Sequence, residues 1–290
     1  MPAKVNLHLS VGPRRRDGFH ELITIFQAVD LHDEVVASPG PGLQLMIEGP
    51  GAERLPTDAR NLAWRAADLL ALHAGVAPDV TLRIVKAIPI AGGMAGGSAD
   101  AAATLLACSH LWQTATPRSE LLTLAAELGS DVPFALTGGT ALATGRGEVL
   151  TPVLSTGEFH WVLAFATGGI STPAAYGEFD RVNPQPAPPA AADAVLDAVR
   201  SGDPRRLARA LHNDLQPAAL ALAPTLKRTL AAGRELGALA GIVSGSGPTC
   251  AFLAADAAGA TALAAALMAE DVCRSTSVAT GPVAGAKVVR

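Results

Sequence analysis

Apolar and polar positions alternate in three short runs near the start of the chain, Val5-Asn6-Leu7-His8-Leu9, Glu34-Val35-Val36-Ala37 and Leu43-Gln44-Leu45-Met46-Ile47, and each predicts a strand. The period then lengthens. Asn61 to Leu70 carries good helix formers with an apolar stripe and predicts a helix capped by Thr57 or Asp58. Val80 to Val85 is β-branched and alternating, a strand that runs into a glycine-rich turn. A long Ala/Leu helix starts after that turn, near Ser98. Thr116 as cap and Pro117 at the first helical position predict a further helix through Leu128, stopped by Gly129. Asn183-Pro184-Gln185-Pro186-Ala187-Pro188-Pro189 is too rich in proline for a helix or a central strand and predicts a surface excursion. Helices follow at about 193–199, 205–212 and 225–236. A strand at Ile242-Val243, a second glycine turn at Gly245-Ser246-Gly247-Pro248 and a strand from Thr249 to Leu253 come next. Strands followed by helices in each half, in place of strict βαβ alternation, favour an α+β fold with two subdomains. No internal repeat is visible.

Composition narrows the functional classes. At 290 residues the chain is long enough for about two domains and for a core that needs no disulfide or structural metal. Cys108, Cys250 and Cys273 are odd in number and far apart, against a disulfide framework or a Cys-x-x-Cys site, and a reducing cytoplasm fits best. There is no long uninterrupted apolar run, and Met1-Pro2-Ala3-Lys4 does not open a signal peptide, so neither a membrane span nor export is expected. A net charge of -4 gives no basic footprint for nucleic acid. Any anionic ligand is therefore expected to be held locally, by backbone dipoles or a few placed cations.

The most informative segment runs from Lys86 through Pro89-Ile90-Ala91-Gly92-Gly93-Met94-Ala95-Gly96-Gly97-Ser98-Ala99 to Asp100. Small residues let the backbone approach a ligand closely, and the helix that follows offers free N–H groups and the positive end of its dipole, which together make a phosphate cradle. The plainer alternative is a tight strand-to-helix turn in an alanine-rich protein. Three familiar motifs fail here. Ser98 stands where a Walker A loop needs its lysine, Met94 sits at the second glycine of a dinucleotide fingerprint, and Asp100 replaces the last glycine of a nucleophile elbow.

What remains, Pro-x-x-x-Gly-Met/Leu-x-Gly-Gly-Ser, resembles the phosphate loop of the GHMP kinases, the superfamily of galactokinase, homoserine kinase, mevalonate kinase and phosphomevalonate kinase. Three blocks carry the resemblance in the family's order: Pro2-Ala3-Lys4-Val5-Asn6-Leu7, the Gly92 to Ser98 loop, and Gly241-Ile242-Val243-Ser244-Gly245-Ser246-Gly247-Pro248-Thr249. Within the superfamily the chain is most similar to the branch that phosphorylates 4-diphosphocytidyl-2-C-methyl-D-erythritol in the non-mevalonate isoprenoid route. Arg16-Asp17-Gly18-Phe19-His20-Glu21-Leu22, Gly129-Ser130-Asp131-Val132-Pro133-Phe134 and Gly145-Arg146-Gly147-Glu148 carry that finer likeness.

The resemblance implies ATP-dependent phosphorylation of the tertiary 2-hydroxyl of that small molecule, with no nucleic-acid or membrane partner. It implies a two-subdomain fold, with a part like ribosomal S5 domain 2 over residues 1–155 and a ferredoxin-like part over 156–290. Asp131 is then the general base and Lys4 its neighbour, holding the carboxylate ionised. The alternatives are that Asp131 caps the segment Val132 to Leu136 and that Lys4 is a solvated surface lysine. Pro89, Ile90, Ala91, Gly92, Gly93, Met94, Ala95, Gly96, Gly97, Ser98 and Ala99 are expected to wrap the ATP phosphates, with Asn61 and Lys86 near the adenosine. Magnesium is implied, with Ser98 as a candidate contact. Asp100 either faces the phosphates through a cation or stabilises the first helical turn. Phe19 and Tyr176 are expected to sandwich the cytosine, His20 to hydrogen-bond it, and Asn6 and Thr172 to complete the substrate site. His20-Glu21 also begins like a zinc-protease helix, but Thr24 replaces the second histidine.

Three departures stand out. Phe19 replaces the usual tyrosine, and Ala95 and Ala99 replace the loop's usual glycine and serine. The family has a strand before Pro-Ala-Lys, whereas Met1 immediately precedes Pro2 here, so either a stretch lies upstream or the sheet lacks its first strand and Lys4 sits on a fraying terminus. The rival functions are a homoserine or mevalonate type of kinase, which does not need aromatics around a pyrimidine, and a non-catalytic ligand sensor on the same fold, which does not need Asp131 or Lys4.

Overall fold

The protein is described here by a computed structural model covering residues 1–289. Its first half contains β1 (Pro2–Arg14), β2 (His20–His32), β3 (Glu34–Ser38), β4 (Leu43–Glu48), α1 (Leu62–Ala74), β5 (Val80–Val85), α2 (Gly96–Leu111), α3 (Arg118–Leu128), α4 (Val132–Thr137), β6 (Thr140–Thr144) and β7 (Val149–Pro152). The second half contains β8 (Phe159–Phe165), α5 (Thr172–Val182), α6 (Asp193–Ser201), α7 (Pro204–Ala210), β9 (His212–Asn213), α8 (Gln216–Leu222), α9 (Thr225–Glu235), β10 (Ala240–Val243), β11 (Cys250–Ala254), α10 (Ala257–Ala269) and β12 (Ser275–Gly281). The strands form three sheets, ordered β7-β6-β2-β1-β9, β3-β5-β4 and β10-β11-β8-β12.

The hydrophobic pattern places these sheets. Val5 and Leu7 of β1 and Ile25 of β2 pack on Phe159, Trp161 and Leu163 of β8 and Leu253 of β11, with Val195 of α6 and Leu207 of α7 closing the layer. The two halves therefore share one core. A second core lies where α1, α2 and α3 cover the three-stranded sheet, and a third where α9 and α10 cover the outer face of the four-stranded sheet. The polar positions that alternate along β1, Lys4, Asn6, His8 and Ser10, are buried as well. Alternation in the sequence marks them as the solvent face of a half-buried strand, but this face is roofed by other segments and its first two residues look into a cleft.

Several boundaries differ from the sequence expectation, each for a local reason. Asn61, in an extended conformation, caps α1 by accepting from Ala63 N at 2.9 Å, while Asp58 is held by the Arg60 guanidinium. Pro117 takes the N-cap position of α3, and the Thr116 hydroxyl bonds Thr114 instead. The helix expected to reach His212 stops at Ala210, because His212 and Asn213 leave it to pair in parallel with His8 and Leu9 of β1. Lys4 is not on a frayed end. The Met1 amine donates to Asp33 O at 2.7 Å, Lys4 pairs with Ala28 across the ladder, and Lys4 N donates to Met94 O at 3.3 Å.

Two glycine turns are wedged together backbone to backbone. Thr249 N donates to Gly92 O at 3.3 Å, and the Ser244 hydroxyl donates to Gly93 O at 3.3 Å. Gly93 has φ +75°, and a Cβ there would collide with Ser244 O and come within 2.8 Å of Gly247 N. Behind the late turn, the Asn213 amide donates to Val243 O at 2.7 Å and Gly245 O at 2.8 Å and holds it in place.

Two measurements check this packing. Trp161 is fully buried and its Nε1 donates to Gln27 Oε1 at 3.0 Å, so Trp161→Phe strands a buried amide and is expected to lower unfolding free energy in urea by about 1–3 kcal/mol. A loss too small to measure would contradict a shared core at that point. Gly93→Ala, which adds both a clash and an unfavourable φ, is expected to cost about 2–4 kcal/mol in the same assay, and an unchanged denaturation midpoint would show that the turns do not touch.

Candidate active site

A cleft of about 790 Å³ opens between the halves, and most of the residues singled out from the sequence line it. Lys4 and Asn6 come from β1. Phe19 and His20 come from the β1–β2 turn and the start of β2, and Asn61 from the cap of α1. Pro89 to Gly93 and Ala95 to Ser98 come from the glycine loop, Asp131 from the start of α4, and Thr172 and Tyr176 from α5. Met94 and Ala99 do not line it. Their side chains are buried in the shared core, and Met94 contributes its carbonyl to Lys4 N. Met94, the large side chain among the small residues from 91 to 99, anchors the loop to the interior.

The loop leads directly into α2, whose first residues Gly96 and Gly97 carry no side chain to cover the free N–H groups. Ala91 and Ala95 hold φ of 52° and 61°, the left-handed region that normally calls for glycine. Ala95 in place of glycine therefore keeps the path of the loop at the expense of local strain.

Lys4 is buried, and its Nζ donates to Asn6 Oδ1 at 2.5 Å. The chain of bonds continues from Asn6 Nδ2 to Thr24 Oγ1 at 2.9 Å and from that hydroxyl to His8 O at 2.6 Å, so the lysine head is fixed from behind. Burial pushes the Lys4 ammonium below its usual range, and the Asp131 carboxylate acts in the opposite direction. Gly245 completes this corner: a Cβ on it would lie 3.0 Å from Lys4 Nζ, 3.1 Å from Asn6 Oδ1 and 3.2 Å from Gly93 O. All three sequence blocks meet at this point.

Asp131 occupies the N-cap position of α4, but its side chain makes no capping bond. Its carbonyl takes Ala135 N at 3.1 Å, and the carboxylate is left to the cleft. Lys4 and Asp131 interact through space and do not form a contact ion pair.

Asn61 and Lys86 are already committed to other partners. The Asn61 amide caps α1 and donates to Pro56 O at 2.8 Å. Lys86 is buried with its Nζ on the carboxylates of Asp33 and Asp100, the second at 2.6 Å. Lys86 sits in the floor of the cleft as the centre of a charge cluster, not as a free contact for a base. Asp100 lies past the first turn of α2. Burial, reinforced by the Asp33 charge and opposed by Lys86, pushes its carboxyl up to about 7, and its Oδ1 has no partner. Asp33 was not found from the sequence, where a lone aspartate at a strand corner carries no motif.

At the opposite end, Phe19 is half exposed with the Arg146 guanidinium 5.0 Å over its ring. His20 is buried, stacked on Tyr176 at 5.0 Å and edge-on to Phe179 at 6.0 Å. Tyr176 thus pairs with His20 and not with Phe19. His20 Nε2 bonds Asp180 Oδ1 at 2.7 Å. A carboxylate accepts only, so Nε2 carries the proton of this bond, and in the neutral tautomer with that proton Nδ1 is an acceptor. Tyr176 and Asp180 stand one turn apart on α5, a helix the sequence reading did not place. Ser171, which accepts from Ala174 N at 3.3 Å, followed by Pro173 was the signal for it. Burial, with the Asp131 charge adding to it, pushes the Tyr176 phenol upward. Thr172 joins α5 to the late glycine turn through Ser246 Oγ at 3.2 Å. Among the described residues, no cluster of three or more His, Cys, Asp or Glu side chains is arranged to hold a metal.

Comparison with known proteins agrees with this geometry. The family model for the GHMP kinases N terminal domain matches residues 61–139, and that for GHMP kinases C terminal matches residues 195–271. The 4-diphosphocytidyl-2-C-methyl-D-erythritol kinases of Mycolicibacterium gilvum and Mycobacterium tuberculosis are each 58% identical over the whole of this chain, which covers 91% and 92% of their lengths. A crystal structure of 4-(cytidine 5'-diphospho)-2C-methyl-D-erythritol kinase superposes with a TM-score of 0.77 at 36% identity, covering 96% of this chain and 97% of that one. Homoserine kinase from Cytophaga hutchinsonii shares the fold, with a TM-score of 0.75 at 20% identity over 99% of this chain and 95% of its own. A cleft between two glycine turns, its single uncommitted carboxylate and these relatives lead to one conclusion: the chain belongs to the GHMP kinases, in the 4-diphosphocytidyl-2-C-methyl-D-erythritol kinase family.

Proposed function

We propose that this chain transfers the γ-phosphoryl group of ATP to the tertiary 2-hydroxyl of 4-diphosphocytidyl-2-C-methyl-D-erythritol, an isoprenoid precursor. The observation that carries the proposal is the placing of Asp131. Its carboxylate is released from capping and faces the cleft between the glycine loop and the aromatic end, with Lys4 held nearby by Asn6. A tertiary alcohol is a poor nucleophile, and phosphoryl transfer depends on positioning, charge neutralisation and a group that takes the hydroxyl proton. Asp131 takes that proton. Lys4, with a depressed proton affinity and a fixed head, steadies the charge on the oxygens.

The glycine loop and the first turn of α2 receive the ATP phosphates through backbone N–H groups, which accounts for phosphate binding by a chain of net charge -4. The cytidine end follows from hydrogen-bond polarity. His20 Nδ1, left as an acceptor by Asp180, matches the exocyclic amine of cytosine, while Phe19 and Tyr176 offer ring faces. Thr172 and Asn6 border the space between.

A magnesium ion brought by ATP would find a hard oxygen donor in the Ser98 hydroxyl, which lines the cleft at the start of α2. When bound, the ion supplies charge neutralisation on the transferring phosphate. Cys108, Cys250 and Cys273 are all free, which supports a reducing cytoplasm. Among the described residues no helix is long and apolar enough to cross a membrane.

Asp131→Asn tests the proposal in steady-state kinetics. The expected result is a fall in kcat of about 10²–10⁴-fold, with KM for ATP and for the alcohol little changed. Near-parent kcat would remove Asp131 as the base.

A further inference from the structure

Strand β5 ends at Val85 and Lys86 N still donates to Glu48 O of β4 at 2.8 Å, but the N–H groups of Ala87 and Ile88 that follow have no strand to pair with. Both donate to a single atom, Asp33 Oδ1, at 2.6 and 2.8 Å. Asp33 is almost completely buried at the corner between β2 and β3. Its second oxygen takes Lys86 Nζ, and Lys86 in turn takes Asp100 Oδ2 of α2. The main chain of Asp33 is tied as well: its N–H donates to Met1 O at 3.0 Å and its carbonyl accepts the Met1 amine at 2.7 Å. Thus the main chain of Asp33 ties the β2–β3 corner to the start of β1, and its carboxylate ties that corner to the entry of the glycine loop and, through Lys86, to the helix at the loop's exit.

We propose that Asp33 is a positioning residue for nucleotide binding, a buttress that sets the entry of the glycine loop relative to the N-terminus of α2. It touches no substrate. Along the chain, entry and exit are joined by residues 89–95, which carry two left-handed alanines and a glycine at φ +75° and are held from one side by Lys4, Ser244 and Thr249. The Ile88 N–H is buried and must be satisfied, the Ala87 N–H beside it is partly buried, and Asp33 is the acceptor the fold supplies for both. The Ile88 side chain, fixed by the same bond, lies where a Cβ on Gly96 would be 3.1 Å away, so displacement of Ile88 moves the first residue of α2. The cytidine end, on the far side of the cleft, shares none of these bonds.

This inference rests on the reading of the loop as the ATP site, and the experiment separates the two. In the parent protein, the backbone amide signals of residues 92–98 are expected to shift when ATP is added; if they do not, the loop reading fails and the buttress falls with it. Asp33→Ala is then expected to raise KM for ATP by about tenfold or more while KM for the cytidine substrate stays within about twofold. It should also speed hydrogen exchange at the Ala87 and Ile88 amides. Asp33→Asn keeps an oxygen for those amides but turns an NH₂ toward Lys86, and should lie between parent and Asp33→Ala in both readouts. Being isosteric, it carries the test if the alanine variant does not fold. An unchanged KM for ATP in the variants, or an equal rise in both KM values, would overturn the proposal.

Discussion

Lys4 Nζ, Asn6 Oδ1 and Gly93 O converge on Gly245, where φ is +54° and an added carbon would crowd all three at 3.0–3.2 Å. This constraint organises the molecule. It forces the first strand, the early glycine loop and the late glycine turn into contact, although some 240 residues of chain lie between the first and the last of them. Because the contact is mostly backbone on backbone, the loop can be rimmed by small residues toward the cleft and still be held rigidly. The rest of the fold serves it: β1 is pinned by β2 and the shared core, and the late turn is gripped by Asn213.

The same junction explains where charge is put. The surface is weakly acidic, yet Lys4 and Lys86 are buried within the cleft, each with its own polar holder. Burying an ammonium without a partner is prohibitive, so both are fixed by bonds that also fix the backbone around them. Lys4 is held by a neutral amide, which leaves its charge directed into the cleft. Lys86 is held by two carboxylates, which leaves a net negative cluster with an unpartnered oxygen at the base of the loop. One lysine keeps its charge toward the cleft and the other spends it within a buried cluster, a difference set by their partners.

Local pattern made the edge of the fold legible and, β1 and β11 apart, hid its centre. The strands at 34–37, 43–47 and 80–85 were visible because each has one solvent face, and α3 was stopped by Gly129 as expected. β2 and β8 were not visible, since both faces of each are largely covered and their sequences read as mixed apolar runs without a period. α10 is almost all alanine and leucine around its circumference and shows no stripe. For the site, the glycine loop could be read because close backbone approach needs small residues in sequence, whereas Asp131 was marked only by the family resemblance, its local sequence reading as an N-cap. Asp33, Asp180 and the commitment of Lys86 could not, because each depends on a partner distant in the chain. His20 and Tyr176 both line one end of the cleft, and their stacking on each other follows from α5, which local pattern did not reveal.

The reading of the cleft as a two-ended kinase site is tested most directly by ATP consumption and product formation with three alcohols side by side: 4-diphosphocytidyl-2-C-methyl-D-erythritol, homoserine and mevalonate. Saturable turnover with the cytidine compound, giving the 2-phosphate, and none above background with the other two is the expected result. Turnover with homoserine or mevalonate and none with the cytidine compound would contradict it, since neither alcohol has a base to occupy the Phe19, His20 and Tyr176 end.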